Sequence, residues 1–177
     1  MSKVSVIILS YNGKSRLGSL LDEAIKSAIN QSFSNIEVLF VDNGSSDDSV
    51  EYVHEKFGDS VKVIELGRNY GFCLGNNLAV KYISRDSEYI LFQNPDAVLS
   101  RDYVEGLVNL MMSYRSVGAA QGLQYSYDGS MAYCGGYIDS YGRSVEIVIS
   151  NRLARLLKKP LDVYWVSGSA MFIRKKL

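Results

Sequence analysis

The sequence predicts an α/β fold: a mostly parallel central sheet wound between flanking helices. Three observations predict it. Runs of strand formers at residues 4–9, 36–41 and 89–92 are almost continuously apolar, as strands covered on both faces are. Between them, apolar residues recur at three- and four-residue steps, the helical period. Each run also stops at a polar break rather than a hairpin turn, the pattern of strands alternating with helices.

Taken in order, VSVIIL (residues 4–9) is the first strand, broken by Ser10-Tyr11-Asn12-Gly13. Leu17, Leu20, Leu21, Ala24, Ile25, Ala28 and Ile29 then mark one face of a helix. The second strand, residues 36–41, ends at Asp42-Asn43-Gly44, and Ser45 to Asp48 supply cap and first-turn groups for a helix carrying Val50, Val53 and Phe57. Residues 61–66 read as a short strand near an edge, and a loop at residues 67–71 leads into a helix to about Ile83. The run ending at Phe92 meets Gln93-Asn94-Pro95-Asp96, where Pro95 denies the sheet a donor and turns Asn94 away from helical angles. Ser100 is placed to cap a helix with Val104, Leu107, Val108 and Met111 on its apolar side, and residues 117–123 read as a further strand. Beyond Gln124 tyrosine and glycine cluster, with Asp128-Gly129 as a hairpin signal. Residues 163–166 and 170–173 read as two last strands around Ser167-Gly168-Ser169.

At 177 residues the chain suits a single domain, residues 1–177, whose wound α/β pattern runs through residue 123 and whose texture changes over 124–177. Its 19 basic and 19 acidic residues cancel, so no global field draws it to nucleic acid or an anionic membrane. Cys73 and Cys134 have neither metal-ligand spacing nor a disulfide framework around them. No apolar run approaches the ~20 residues of a membrane span, and the first strand begins too early to leave room for a signal peptide. The expected location is the cytoplasm, extending to the inner face of the membrane.

Familiar phosphate and dinucleotide motifs fail. A phosphate loop would need glycine where Ile8 stands, and SYNGKS is not a Gly-x-Gly-x-x-Gly turn. His54, the sole histidine, reads as structural rather than catalytic. What remains is a set of polar groups just beyond successive strands: Ser10, Tyr11, Asn12, Asp42, Arg68, Asn94 and Asp96. In a parallel sheet those ends share one edge, where open α/β sheets bind ligands. A carboxylate at Asp42 can accept a pyrimidine imide N–H, Tyr11 can stack on a base, Arg68 can meet a base or phosphate, and Asp96 can hold a cation against a diphosphate. Singly, Asp42-Asn43-Gly44 also reads as a turn, Tyr11 as a packed aromatic, Arg68 as a solvated charge and Asp96 as a turn residue. Their shared placement favours a site.

These segments, VSVIILSYN, VDNGSSDDS, GRNYGFCLGNN, QNPDAVL, DGSMAYCGG and VSGSAMFIRKK, taken in order, resemble a family 2 glycosyltransferase of the GT-A fold, and within it the rhamnosyltransferase-type branch. The resemblance implies a sugar transferred with inversion from a UDP- or dTDP-sugar to a saccharide or glycolipid hydroxyl, in cell-envelope polysaccharide or glycoconjugate synthesis. It places Ser10, Tyr11, Asp42 and Arg68 in the nucleotide pocket. Asn94 and Asp96 stand where many members carry an Asp-x-Asp pair, with Asp96 as ligand of Mg2+ or Mn2+. The resemblance also implies that Trp165, Ser167 and Gly168 border the donor sugar and acceptor, that residues 1–123 are the nucleotide-binding half, and that residues 124–177 are the incomplete start of the acceptor-side half. Asn94 in place of the first aspartate removes one charge from the metal site. The family's catalytic base sits in an acidic motif tens of residues after the Ser-Gly segment. Asp128, Asp139 and Asp162 do not match it, so the base is expected beyond Leu177 and the chain is expected to bind donor without transferring it. Apolar surface around Trp165 and Phe172 is expected to favour a homo-oligomer. The rival readings are a nucleotidyltransferase and a non-catalytic nucleotide-binding module.

Overall fold

The computed structural model describes residues 2–126 and 128–176. Strand β1 (Lys3–Ser10) leads through a short helix, α1 (Gly13–Leu17), into α2 (Ser19–Ile29). The single helix expected from Leu17 onward is thus preceded by a separate turn. Gly18, at φ 55° and ψ −124°, breaks the path in a conformation that suits glycine. Strand β2 (Ile36–Asp42), helix α3 (Ser49–Phe57) and strand β3 (Lys62–Glu65) follow. Asp48 holds the cap position of α3 without a side-chain cap bond. Asp47 instead accepts the Ser49 N–H at 3.1 Å.

Helix α4 (Gly71–Ala79) ends in a 3-10 turn at Val80–Tyr82, before β4 (Ser87–Gln93) and α5 (Tyr103–Ser113). Ser100 is not the cap of α5. That position belongs to Asp102, and the Gln31 Oε1 accepts the Val104 N–H at 2.9 Å. The strand expected over residues 117–123 contracts to β5 (Ala119–Ala120). Strands β6 (Gln124–Tyr125), β7 (Met131–Ile138) and β8 (Ser144–Ser150) form a second, antiparallel sheet in that order, with Asp128 and Gly129 in the first connection. A four-residue helix, α6 (Asn151–Ala154), precedes β9 (Ala170–Arg174). Residues 163–166 are not a strand: Trp165 makes one isolated bridge to Gly136.

The main sheet runs β3-β2-β1-β4-β9-β5, with β1 to β4 parallel and β9 antiparallel to both its neighbours. The period-two alternation of β1 sends Val4, Val6 and Ile8 to one face and Ile7 and Leu9 to the other. The first face packs α2, α3 and α5 through Ile25, Val53, Leu107 and Met111; the second packs against Ala79 of α4 and Ile83. Between α2 and α3, buried Asp22 accepts from Tyr52 Oη (2.8 Å) and Lys56 Nζ. Burial pushes its carboxyl up, but the hydrogen bonds from Lys56 and Tyr52 outweigh that and hold it below the usual range.

Phe172 is fully buried, its ring stacked on Tyr89 at 5.2 Å between centroids, so the expected uncovered surface there does not exist. Strand β9 seals the core against β4 instead. Replacing Phe172 with Ala removes most of a buried ring and should cost about 3–5 kcal/mol of unfolding free energy, the range for Phe→Ala in cores. Urea denaturation followed by circular dichroism measures it. A loss under ~1 kcal/mol would mean that β9 is not integral to this core.

Candidate functional site

The strand order reverses at β1: the chain winds outward through β2 and β3, then returns to place β4 on the other side. Crevices in wound sheets form outside the carboxyl ends of the strands at such a reversal. Ser10 and Asp42 are neighbours in register there, and Asp42 is in turn beside Glu65. The Asn43 N–H closes the β1–β2 ladder on the Ser10 carbonyl at 2.8 Å. Asp42 belongs to the end of β2 itself, one residue further into the strand than its sequence suggests.

Asp42 is 4% exposed. Its Oδ2 accepts the backbone N–H groups of Gly44 and Ser45, both at 3.0 Å, while Oδ1 is buried with no hydrogen-bond partner. The buried Ser10 Oγ is also unpartnered. Buried polar atoms in folded chains nearly always find a partner. Two orphans on adjacent strand ends, of which one can only accept, therefore point to a ligand that donates.

The loops around this edge are fixed by side chains. Gly44 adopts φ 79°, and a Cβ on it would lie 2.4 Å from the Arg68 backbone, so the loops after β2 and β3 touch main chain to main chain. Asn43 Oδ1 accepts the Tyr70 N–H (2.9 Å), and its Nδ2 donates to Asn69 Oδ1 (3.2 Å) and the Gly71 carbonyl (3.3 Å). Arg68 is exposed, its guanidinium 4.6 Å above the Tyr70 ring. Tyr11 is exposed directly after Ser10. Asn12, at φ 53°, is the one non-glycine residue in the left-handed region among those described. Its N–H donates to Ser45 Oγ and its Oδ1 accepts from Ser46 N–H, each at 2.8 Å. The loops after β1 and β2 are thereby stitched together.

At the end of β4, buried Gln93 anchors the Asn-Pro-Asp loop by donating to the Ala97 carbonyl (2.7 Å) and to Ala24 on α2 (3.0 Å). The Asn94 N–H donates to the Ser169 carbonyl at 2.8 Å. Asp96 is exposed and its carboxylate engages no group among the described residues. Among the described residues no three His, Cys, Asp or Glu side chains gather as a ready metal cage. The Ser167 N–H donates to Gln121 Oε1, and Ser167 and Ser169 share a hydroxyl bond at 3.0 Å. A Cβ on Gly168 would lie 3.3 Å from the Phe72 ring of α4. It is therefore Ser169 that meets the Asn94 loop, while Ser167 meets Gln121, Gly168 meets Phe72, and Trp165 packs its ring on Gly136 of β7, its Nε1 buried without an acceptor.

A separate cleft of about 890 Å3 opens between α5, β5 and residues 157–166, with Tyr103, Leu107, Cys134 and Trp165 in its walls. Neither Asp42, Arg68 nor Asp96 lines it. Two aspartates of the second sheet are unsuited to taking a proton. Ser126 and Ser130 hold the Asp128 carboxyl at about 2, and the Arg143 N–H and guanidinium hold Asp139 below the usual range. Sequence reasoning overlooked Asn43, Gln121 and Phe72. For Asn43 the signal was present, an amide between a strand-end aspartate and a glycine; for the other two there was none.

Comparison with known proteins agrees with this architecture. An uncharacterized glycosyltransferase of Haemophilus influenzae is 27% identical over 154 residues, 86% of this chain and 54% of that protein. The GalNAc(5)-diNAcBac-PP-undecaprenol β-1,3-glucosyltransferase of Campylobacter jejuni is 30% identical over 122 residues, 68% of this chain and 37% of that one. Among solved structures, S. aureus TarS 1–349 in complex with UDP-GlcNAc superposes with a TM-score of 0.57 at 26% identity, covering 67% of this chain and 33% of TarS. The mannosyltransferase PcManGT of Pyrobaculum calidifontis, in complex with GDP-Man and Mn2+, gives 0.57 at 23% identity, covering 67% and 34%, and so speaks for the fold alone. The chain spans about half or less of the length of the curated relatives it matches. Both solved neighbours are GT-A glycosyltransferases, and the fold here is GT-A. Because the family model runs from residue 5 to residue 177, across both sheets, the chain belongs to glycosyl transferase family 2.

Proposed function

We propose that this chain is the donor-binding part of an inverting glycosyltransferase, one domain over residues 1–177, that uses a UDP- or dTDP-sugar and a saccharide or glycolipid acceptor in envelope polysaccharide or glycoconjugate synthesis. The rhamnosyltransferase-type branch is the proposed subgroup. The observation that carries the donor assignment is Asp42, a buried carboxylate with one oxygen held by two backbone amides and the other unclaimed. A uracil or thymine offers one imide N–H between two carbonyls, the donor that oxygen lacks. Tyr11 and Arg68 are proposed to flank the base and phosphate, with Ser10 and Asn12 shaping the floor. Ser167, Gly168 and Trp165 are proposed on the sugar and acceptor side, and the catalytic base is proposed to lie outside residues 1–177.

Asp96 and the Asn94 loop are proposed to receive Mg2+ or Mn2+. One free carboxylate without a preformed cage fits a hard cation whose remaining ligands are water and substrate oxygens. When bound, such a cation supplies positive charge to a departing diphosphate. The chain's own task is to fix the base and aim the phosphates at that edge.

Solved neighbours hold both UDP-GlcNAc and GDP-Man, so the base is a matter for direct measurement. Isothermal titration with UDP, dTDP, GDP and ADP should show binding of the pyrimidine nucleotides only. Asp42→Ala should weaken UDP binding by about 1.5–3 kcal/mol, the worth of a hydrogen bond to a charged group. Asp42→Asn should fold normally, since an amide oxygen can still accept from Gly44 and Ser45, yet it should lose the same affinity because it presents a donor to the imide. Equal binding of GDP would overturn the assignment.

Nucleotide affinity should also fall when Mn2+ is replaced by EDTA, and Asp96→Asn should remove that metal increment while leaving the far-ultraviolet spectrum unchanged. Binding that is as tight in EDTA as in Mn2+ would return Asp96 to the role of a turn residue.

A further inference from the structure

A dense island of positive charge in this otherwise balanced chain lies away from the proposed donor crevice. Arg152, Arg155, Lys158 and Lys159 crowd the stretch around and after α6, with Asp162 as the one acidic residue between Arg152 and Tyr164. All four basic side chains are exposed. None enters an ion pair among the described residues; Arg155 Nε donates only to Asn151 Oδ1 at 3.3 Å. Interleaved with them are apolar side chains that stand in solvent. Leu153 is 55% exposed, Leu156 63%, Leu161 45% and Tyr164 78%. Leu156 and Leu157 fold back by i→i−3 bonds to Leu153 and Ala154, so the leucines project from one tight turn.

Isolated exposed leucines are ordinary, but a cluster rimmed by unpaired cations is not. Cations near an anionic bilayer gain about 1 kcal/mol each, and leucine and tyrosine side chains enter the headgroup boundary. A protein partner would have to supply several carboxylates around an apolar socket. A lipid surface supplies both features without a matching shape, which suits a segment with one short helix and one isolated bridge between residues 151 and 169.

We propose that residues 152–164 form a docking surface for an anionic lipid bilayer, with the leucines and Tyr164 entering the headgroup region and the four cations facing lipid phosphates. Leu157, Lys159, Tyr164 and Trp165 also wall the 890 Å3 cleft, so a docked chain presents that cleft to the membrane. The proposal needs no donor, metal or acceptor, and its test is independent of the glycosyltransferase reading.

The test is co-sedimentation of the purified chain with vesicles of phosphatidylcholine alone and of phosphatidylcholine mixed with phosphatidylglycerol. The chain should pellet with the mixed vesicles, be released by high salt and remain free with the neutral ones. Each cation is worth about fivefold, so R152Q/R155Q/K158Q/K159Q should lower the partition coefficient at least ~100-fold. L153S/L156S/L161S should lower it while the salt dependence persists. All seven positions are on the surface, and thermal unfolding by circular dichroism confirms that the variants are folded. Equal binding to both vesicle types, binding to neither, or an unaltered quadruple variant would each overturn the proposal. So would a dimer by light scattering that L153S/L156S/L161S disperses in a chain that binds no vesicles, since the patch would then be a self-association surface.

Discussion

Burial of the Asp42 carboxylate is the constraint on which the carboxyl edge of the parallel sheet depends. A charge removed from water must be met by donors, or it loses more in solvation than any fold returns. Here the donors are two successive backbone amides, which requires the chain to turn back immediately after β2. That turn needs Gly44 at positive φ, and it brings main chain against main chain at Arg68. The packing in turn sets where the loop after β3 can run, and Asn43 fixes it by holding Tyr70 and Gly71. Two loops are therefore positioned by one carboxylate and its two neighbours in sequence.

Strand β2 carries a second carboxylate that shows what complete satisfaction looks like. Near the amino end of the sheet, Glu37 accepts from Ser5 Oγ (2.5 Å), the Ser84 N–H (2.6 Å) and Ser84 Oγ (2.9 Å). Burial raises its pKa, but these donors outweigh burial and hold it below the usual range. Both of its oxygens are occupied by the protein. Asp42, five residues further along the same strand and buried, has one oxygen occupied and one not. Of these two acids on one strand, the half-buried one is closed by the protein and the buried one is left open.

How much of this was legible depended on whether chemistry stood in the side chain or in the tertiary path. The parallel strands were readable because VSVIIL and its counterparts are buried on both faces and leave no alternation to misread. The set of strand-end residues was readable for the same reason, since parallel strands must end together. The helix break at Gly18, the cap of α5 at Asp102 and the two-residue β5 were not. At α5 a distant group takes part: Gln31, 73 positions from Val104, accepts the Val104 N–H. Residues 163–166 have strand composition, yet the surface they meet is Gly136 and the adjoining positive-φ Gly135, which admits the Trp165 ring and little ladder. Strand β8 alternates exposed Ser144, Glu146, Val148 and Ser150 with half-buried Val145, Ile147 and Ile149, a period-two pattern that marks the inward face.

The two sheets meet through the segment between α6 and β9, and its attachments differ in kind. Trp165 is pressed onto Gly136, where any side chain would collide with the indole at 2.2 Å, so its position follows from steric exclusion. Two and four residues later the chain is held by directed bonds instead, the Ser167 N–H donating to Gln121 Oε1 and the Ser169 carbonyl accepting from the Asn94 N–H. Gly168 completes the path against Phe72, an exposed ring on the helix that follows the Arg68 loop. One short segment therefore touches the second sheet, the end of β4 and the start of α4. A displacement of Trp165 in the cleft must either break the bond to Asn94 or carry the Asn-Pro-Asp loop with it. Because Gln93 ties that loop to the Ala24 carbonyl of α2 in the core, the second outcome is the costlier one. The segment that walls the cleft at Trp165 is thus tied, four residues on at Ser169, to the Asn-Pro-Asp loop.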